Sequence, residues 1–138
     1  MIWKKEIYET LTSCATLCDE FATECSRSTD IENWYRCIFL NLDCADICRQ
    51  VAMLYVRGSE NTRLLAKTCI EVCEKCAEET CKFDSERCRQ VHAMCLQTIQ
   101  SCIGILGMAQ DQELESANPS VTPTSLFYGI DLRETLHN

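Results

Sequence analysis

Cysteines recur at helical spacing in four separate stretches of this chain. In the first stretch, CATLCDEFATEC, Cys14, Cys18 and Cys25 lie at 0°, about 40° and about 20° on a helix that turns 100° per residue. Three later triplets fall within arcs of about 40–60° in the same way. These are Cys37, Cys44 and Cys48, then Cys69, Cys73 and Cys76, and then Cys88, Cys95 and Cys102. The spacing predicts four helices, each with one face of thiols.

Capping residues and glycines predict where these helices end. Helix A is expected from about 3 to 27, and helix B from an N-cap at Thr29, with Glu32 completing a capping box, to about 57, where Gly58 ends it. Ser59 is expected to cap helix C, which runs to about 83. Asp84 or Ser85 is expected to cap helix D, which fades at Gly104 and Gly107.

The connections between these helices are short, so consecutive helices should be antiparallel neighbours. The predicted fold is all-α: an up-down-up-down antiparallel four-helix bundle with a Cys-lined core over residues 1–108. Both prolines lie after residue 118 and cannot interrupt these helices. Residues 109–138 are predicted to form an extended tail, whose short amphipathic segment SLFYGIDLRETL packs on the bundle or on a neighbouring subunit.

Opposite residues in an antiparallel hairpin have a constant sum of residue numbers, so the cysteines can be assigned to layers. The first hairpin predicts the facing pairs Cys25 with Cys37, Cys18 with Cys44, and Cys14 with Cys48. The second predicts Cys69 with Cys102, Cys76 with Cys95, and Cys81 with Cys88. Cys81 lies about 120° from Cys69 on an ideal helix, so it joins the stripe only if the end of helix C is distorted.

Charge and cysteine usage narrow the compartment and the partners. The chain has 13 basic and 21 acidic residues, a net charge of −8, and no basic patch, which argues against a nucleic-acid partner. The charged N-terminus MIWKKEIYETL lacks the apolar core of a signal peptide, and no stretch is expected to span a membrane. A cytoplasmic location is predicted, where thiols stay reduced. The odd count of 13 cysteines also argues against a disulfide framework.

Twelve thiols in register are too many for cysteine acting only as a small hydrophobic residue. Thiolates are soft ligands that favour Cu(I), zinc and iron–sulfur clusters. Pairs four residues apart, such as Cys14 with Cys18, let two sulfurs converge on one ion. Structural zinc and iron–sulfur sites usually use CxxC, which occurs only at Cys73–Cys76, but four helices can also assemble a tetrahedral zinc site.

His92 lies on the thiol stripe of helix D, about 40° from Cys88. A single histidine on a helix face is more often structural, yet neutral imidazole at the opening of the array would bind copper or zinc. Asn41 is its equivalent in the internal repeat. The candidate metal ligands are Cys14, Cys18, Cys25, Cys37, Cys44, Cys48, Cys69, Cys73, Cys76, Cys81, Cys88, Cys95, Cys102 and His92.

Other function classes fit the sequence less well. An enzyme is not expected, because the chain has two histidines, no GxSxG, no P-loop and no ExxH pair. A thiol redox buffer would use the same cysteines and is the alternative, as is zinc or another soft metal. Buried thiols oxidise slowly, so their exposure distinguishes a redox buffer from a metal store.

The repeated CxxxC and Cx6C steps over about residues 3–108 resemble the bacterial copper storage proteins, in the cytosolic branch of that Cys-rich four-helix-bundle family. The resemblance implies a bundle core that stores many Cu(I) ions on thiolates, and a homotetramer. Members of that branch often carry more than the 13 cysteines found here, which implies a lower capacity. The tail after residue 109 is not covered by the resemblance.

Overall fold

The computed structural model describes residues 4–115, with side chains to Met108. Its helices are α1 (Lys5–Ser26), α2 (Tyr35–Val56), α3 (Thr62–Thr80) and α4 (Glu86–Glu115), and a 3-10 turn, Ile31–Trp34, precedes α2. Both α1 and α3 pack against α2 and α4. The predicted all-α four-helix bundle is confirmed. The amphipathic segment predicted in the tail lies outside the described residues.

Two of the predicted helix ends are confirmed by their hydrogen bonds. Gly58 has φ 67°, its N–H donates to the Tyr55 carbonyl at 3.2 Å, and the Ser59 N–H donates to the Leu54 carbonyl at 2.9 Å. This pair of bonds is the Schellman motif, which needs a left-handed residue that glycine supplies without a Cβ clash. At the start of α4, the Cys88 N–H donates to Ser85 Oγ at 3.1 Å, so Ser85 is the N-cap.

The predicted capping box at Thr29 and Glu32 is wrong. The chain turns at residues 29–30 and forms the 3-10 turn before α2 begins at Tyr35. The cause is a contact distant in sequence: the Trp34 ring stacks on Phe83 with centroids 3.9 Å apart. This aromatic contact joins the α1–α2 and α3–α4 connections across one end of the bundle, called the loop end below.

Ser59 is also not the cap of α3, which begins at Thr62 after Asn61. The Ser59 Oγ instead accepts the Asn61 N–H at 3.1 Å, which forms a local turn that competes with helix initiation.

Helix α4 is longer than predicted: it continues to Glu115 through Gly104 and Gly107, where it was expected to fade. Each glycine costs a helix only about 1 kcal/mol, which the buried Ile105 between them helps to offset.

One helix of the described residues is long and apolar enough to count as a candidate membrane span by length and composition, although no stretch was expected to span a membrane. Within Glu86–Met108 of α4, an 18-residue window reaches a mean hydropathy of 1.3, enough to count as a candidate. Its buried positions, which include Val91 and Cys95, face the bundle core. A core helix can reach this hydropathy because cysteine, valine and isoleucine all score as apolar.

The end of the bundle opposite the loop end is closed by large side chains. Leu11, Val51 and Tyr55 are each at most 1% exposed, and the Tyr55 hydroxyl accepts the Lys4 N–H at 2.7 Å. Between the two ends the core consists mainly of thiols and alanines. These small side chains allow the helices to approach closely, so the thiols of different helices reach one another.

Candidate metal centre

Twelve of the thirteen cysteines line the core as free thiols. Each of the twelve is at most 6% exposed, whereas Cys81 is exposed. Their regular positions follow from the helical spacing, because α1, α2, α3 and α4 each turn a stripe of three buried thiols inward.

Cys44 lies at the centre of a network of sulfur contacts. Its Sγ is 4.0 Å from Cys14 Sγ on α1 and 3.6 Å from Cys73 Sγ on α3. Cys14 Sγ is in turn 4.0 Å from Cys18 Sγ, and Cys73 Sγ is 3.8 Å from Cys69 Sγ. Five thiols from three helices therefore form a continuous chain of contacts. Cys48 extends it, with its Sγ 3.8 Å from Cys69 Sγ.

Two groups within this network converge closely enough to share an ion. The sulfurs of Cys14, Cys18, Cys44 and Cys95 all lie within 4.8 Å of one another, and so do those of Cys44, Cys48 and Cys73. A tetrahedral zinc site with bonds of about 2.3 Å would place its four sulfurs roughly 3.8 Å apart. The group of four is slightly wider than that. The assignment of the cysteines to layers predicted that Cys18 lies opposite Cys44, and both belong to this group.

Hydrogen bonding between thiols divides their acidity unevenly. The bond from Cys14 lowers the pKa of Cys44, with Cys18 and Cys48 acting in the same sense. The bond with Cys14 raises the pKa of Cys18, and the bond with Cys18 lowers the pKa of Cys14. Two sulfurs of the group, Cys14 and Cys44, thus favour the thiolate form, while Cys18 and Cys95 favour the protonated form.

The predicted layers extend to both ends of the array. The interaction between Cys69 and Cys102 lowers the pKa of Cys69 and raises that of Cys102. Near the loop end, burial raises the pKa of Cys25 to about 12, and the neighbouring Cys37 and Cys88 add to the effect. Cys25 is therefore protonated in the metal-free chain at neutral pH.

Polar groups accompany the thiols at the loop end. Asn41 is 0% exposed, and its Nδ2 donates to the Cys37 carbonyl at 2.8 Å and to Cys37 Sγ at 3.5 Å, while its buried Oδ1 has no hydrogen-bond partner. Thr80 Oγ1 lies 3.8 Å from Cys37 Sγ. Burial raises the pKa of Cys37 to about 11, and the Thr80 contact partly opposes this.

Asn41 was not among the predicted ligands, although the sequence carried a signal for it. It is a polar side chain one turn after Cys37 on a thiol stripe, at the repeat position of His92. An acceptor oxygen left unpaired in a core is costly, so it marks a position where a ligand would be accommodated.

His92 is half-buried beside a cavity of about 350 Å3 that Cys81 and Cys88 also line. Its Nδ1 is 3.0 Å from the Ala77 carbonyl, an acceptor, so Nδ1 carries the proton and donates. The other ring nitrogen, Nε2, is then left with a lone pair for a metal. The placement that the sequence predicted for His92, near the loop end, is confirmed.

Cys81 is the cysteine that leaves the array. Its Sγ donates to the Glu78 carbonyl at 3.3 Å. The distortion needed to bring it onto the stripe is absent, because α3 ends at Thr80 before the helix could bend. Cys81 thus borders the cavity from outside the core, opposite the buried Cys88.

A buried carboxylate stabilises the same end of the bundle. Glu79 is 6% exposed and forms ion pairs with Lys82 at 2.7 Å and with Arg36 of α2. The bond from Lys82, reinforced by Arg36, holds the pKa of Glu79 below its usual range. These pairs join α2 to the α3–α4 connection next to Thr80.

The fold and this site define a class of protein: a four-helix bundle whose interior is a set of soft-metal ligands. The model of the copper storage protein family matches residues 3–107, and the chain belongs to that family.

Two known proteins are similar to this chain. The chain is similar to an uncharacterized cysteine-rich protein, YhjQ, of Bacillus subtilis (strain 168), with 27% identity over 81 residues that cover 59% of this chain and 75% of that protein. Among solved structures, it resembles the Cu(I)-bound copper storage protein BsCsp3, with a TM-score of 0.68 at 24% identity. That match covers 72% of this chain and 94% of BsCsp3, and it shows the fold.

Proposed function

We propose that this chain is a copper storage and buffering protein that holds several Cu(I) ions per chain on core thiolates. The observation that carries the proposal is the continuous network of buried thiols through Cys44, with neighbouring sulfurs 3.6–4.0 Å apart. Small shifts of these sulfurs would let each thiolate bridge two ions, which suits Cu(I) because it accepts low coordination numbers and soft ligands. A site for a single ion would need no more than four of the twelve.

The proposed ligands are the twelve core cysteines, with His92 Nε2 at the loop end and Cys81 as an outer thiol beside the cavity. Copper enters at this end, since the opposite end is filled by Leu11, Val51 and Tyr55. The thiols release protons as copper binds, because only the thiolate is a good ligand.

The cellular setting of the proposal follows the family and the chemistry. The copper storage family suggests a non-enzymatic storage role. We place the chain in the cytoplasm, where reduced thiols persist, and propose a homotetramer by resemblance. With a net charge of −8 we propose no nucleic-acid partner, and no membrane partner is required for storage.

The experiment that tests the function is anaerobic titration of the fully reduced protein with Cu(I) and, separately, with Zn(II). Bound metal per chain is read after gel filtration in the presence of a competing chelator. About ten or more Cu(I) per chain is expected, roughly one per core thiolate if each thiolate bridges two ions. Saturation at one to three ions, or a preference for Zn(II), would contradict storage.

Zinc is the second candidate, and one observation favours it: the convergence of Cys14, Cys18, Cys44 and Cys95 within 4.8 Å. A zinc protein would bind one Zn(II) there and leave most thiols unused. The titration separates the two functions by stoichiometry. A thiol redox buffer fits less well, because twelve of the thiols are shielded from oxidants.

A further inference from the structure

A cavity of about 350 Å3 at the side of the loop end brings together three candidate copper ligands at different depths. Cys81 is exposed, His92 is half-buried, and Cys88 is 1% exposed. The volume is in the range of small-molecule binding sites, which is about 300–1,000 Å3. A small ligand can therefore reach an exposed thiol here, with an imidazole and a buried thiol behind it.

Cys81 differs from the other twelve cysteines in its exposure, because each of those is at most 6% exposed. When Cu(I) passes from one thiolate to another, the entering sulfur bonds to the metal before the leaving sulfur departs. The entering thiol must therefore touch a copper ion that still carries its previous ligands. A buried thiol cannot do this when those ligands are bulky, whereas an exposed thiol can.

Aromatic rings cover the bundle axis at the loop end. Trp34 stacks on Phe83 with centroids 3.9 Å apart, and Phe21 meets the edge of Trp34 with centroids 6.1 Å apart. Phe83 also lines the cavity, which thus lies directly beside these rings. An incoming copper complex therefore approaches the thiols from the side, through the cavity, and not along the axis.

The charges around the cavity are balanced, although the chain as a whole has a net charge of −8. Lys82 pairs with Glu79 at 2.7 Å, and Arg89 pairs with Asp84 at 2.9 Å. A Cu(I) ion that carries two thiolates is an anion, which an acidic surface repels. The balanced charges around the cavity let such a complex approach Cys81.

We propose that this cavity is an exchange site at which the chain takes up Cu(I) from its complexes with low-molecular-weight thiols, and that Cys81 is the entering thiol. The proposal rests on the proposed storage function. Cys81 Sγ bonds to the copper, and its proton passes to the small thiolate that leaves. Cys88 then displaces the second small thiolate, which leaves with the proton of Cys88. Copper stays Cu(I) throughout, and His92 Nε2 supplies a neutral ligand during the transfer.

The test measures the initial rate at which the reduced, metal-free full chain takes up Cu(I) from an excess of the glutathione complex. Timed anaerobic samples are passed through gel filtration, and bound copper is measured. Cys81→Ser should lower the rate at least about tenfold, because a hydroxyl is a poor ligand for Cu(I). Uptake from the acetonitrile complex, whose small ligands dissociate readily, should be equally fast in both chains. The final capacity should fall by at most about one ion.

Two double variants distinguish a thiol at the cavity from any exposed thiol. Cys81→Ser/Asp84→Cys returns an exposed thiol to the lining of the cavity and should recover part of the rate. Cys81→Ser/Glu71→Cys places an exposed thiol about three turns from Cys81 along α3 and should recover nothing. Each double variant removes one carboxylate, so the two are matched in charge. Circular dichroism confirms that every variant is folded.

The proposal is overturned if Cys81→Ser takes up copper from the glutathione complex as fast as the wild type does. It is also overturned if the thiol at position 71 recovers the rate as well as the thiol at position 84. A requirement for Cys81 that is seen only with a Cu(I)-loaded CxxC peptide would overturn it too, because the carrier would then be a protein. The final number of ions per chain tests copper storage separately. A chain that fills to capacity without depending on Cys81 would keep the storage function and lose the exchange site.

Discussion

Asn41 allows a direct test of how much an unpaired buried polar atom destabilises the core. Its Oδ1 is buried without a partner, which costs the metal-free protein about 1–3 kcal/mol. Its Nδ2 contributes a bond to the Cys37 carbonyl worth about 0.5–1.5 kcal/mol. Asn41→Leu keeps the number and branching of the side-chain heavy atoms, removes both terms and adds buried apolar surface. We therefore expect the metal-free variant to gain about 1–2 kcal/mol in its free energy of unfolding.

For a domain of this size, that gain corresponds to a rise in Tm of roughly 4–10 °C. Thermal unfolding of the reduced, metal-free chain followed by circular dichroism measures it. Thr80→Val is the control: the Thr80 hydroxyl contacts Cys37 Sγ, so its removal should lower Tm slightly. A variant with a lower Tm than the wild type would refute the reasoning that Oδ1 destabilises the core.

Three further outcomes follow from the structure. Cys44→Ser should lower the Cu(I) capacity by about two ions, since a bridging thiolate binds about two. Cys81→Ser should lower it by at most about one. Equal losses of the two variants in anaerobic Cu(I) titrations would contradict the central place of Cys44. Glu79→Gln should destabilise the protein at neutral pH by about 1–2 kcal/mol. The pKa of Glu79 is lowered in the fold. Its contribution to the free energy of unfolding is therefore present above the unfolded-state pKa and is lost as pH falls through the folded-state pKa. Denaturation curves of the variant and the wild type should converge in acid, and a difference that persists there would count against the ion pairs. Gly58→Ala should lower the free energy of unfolding by about 1 kcal/mol through backbone strain alone, because φ is 67° and no atom lies within 4 Å of the added Cβ. Urea denaturation measures this loss, and an unchanged midpoint would show that the turn relaxes.

The fold could be predicted from the sequence because a period of 3.6 residues is a local signal. Cys14, Cys18 and Cys25 share a helix face whatever the rest of the chain does. Gly58 likewise ends a helix for reasons confined to a few residues. The register of the thiol layers followed from short connections, and Cys18 and Cys44 do belong to one group.

Two of the predictions that failed depended on tertiary packing. The stacking of Trp34 on Phe83 moves the start of α2, and nothing near Thr29 reveals it. The continuation of α4 past Gly104 depends on packing that outweighs a weak local preference. The hydrogen bonding of Asn41 could not be predicted for another reason. The sequence shows a polar residue on the stripe, but only the structure shows that its Nδ2 is hydrogen-bonded and its Oδ1 is not.

The candidate ligands near the loop end and those at the centre of the core differ in how strongly they would hold copper. Near the opening, His92 offers its Nε2 to an incoming Cu(I), because its Nδ1 faces the Ala77 carbonyl. The thiols at this end start protonated, because burial raises the pKa of Cys25 to about 12 and that of Cys37 to about 11. Deeper in the core, neighbouring thiols lower the pKa of Cys44, so a stronger, anionic ligand lies there. Cu(I) would therefore be held more strongly at the centre than at the opening, and a proton would be released wherever a protonated thiol becomes a ligand.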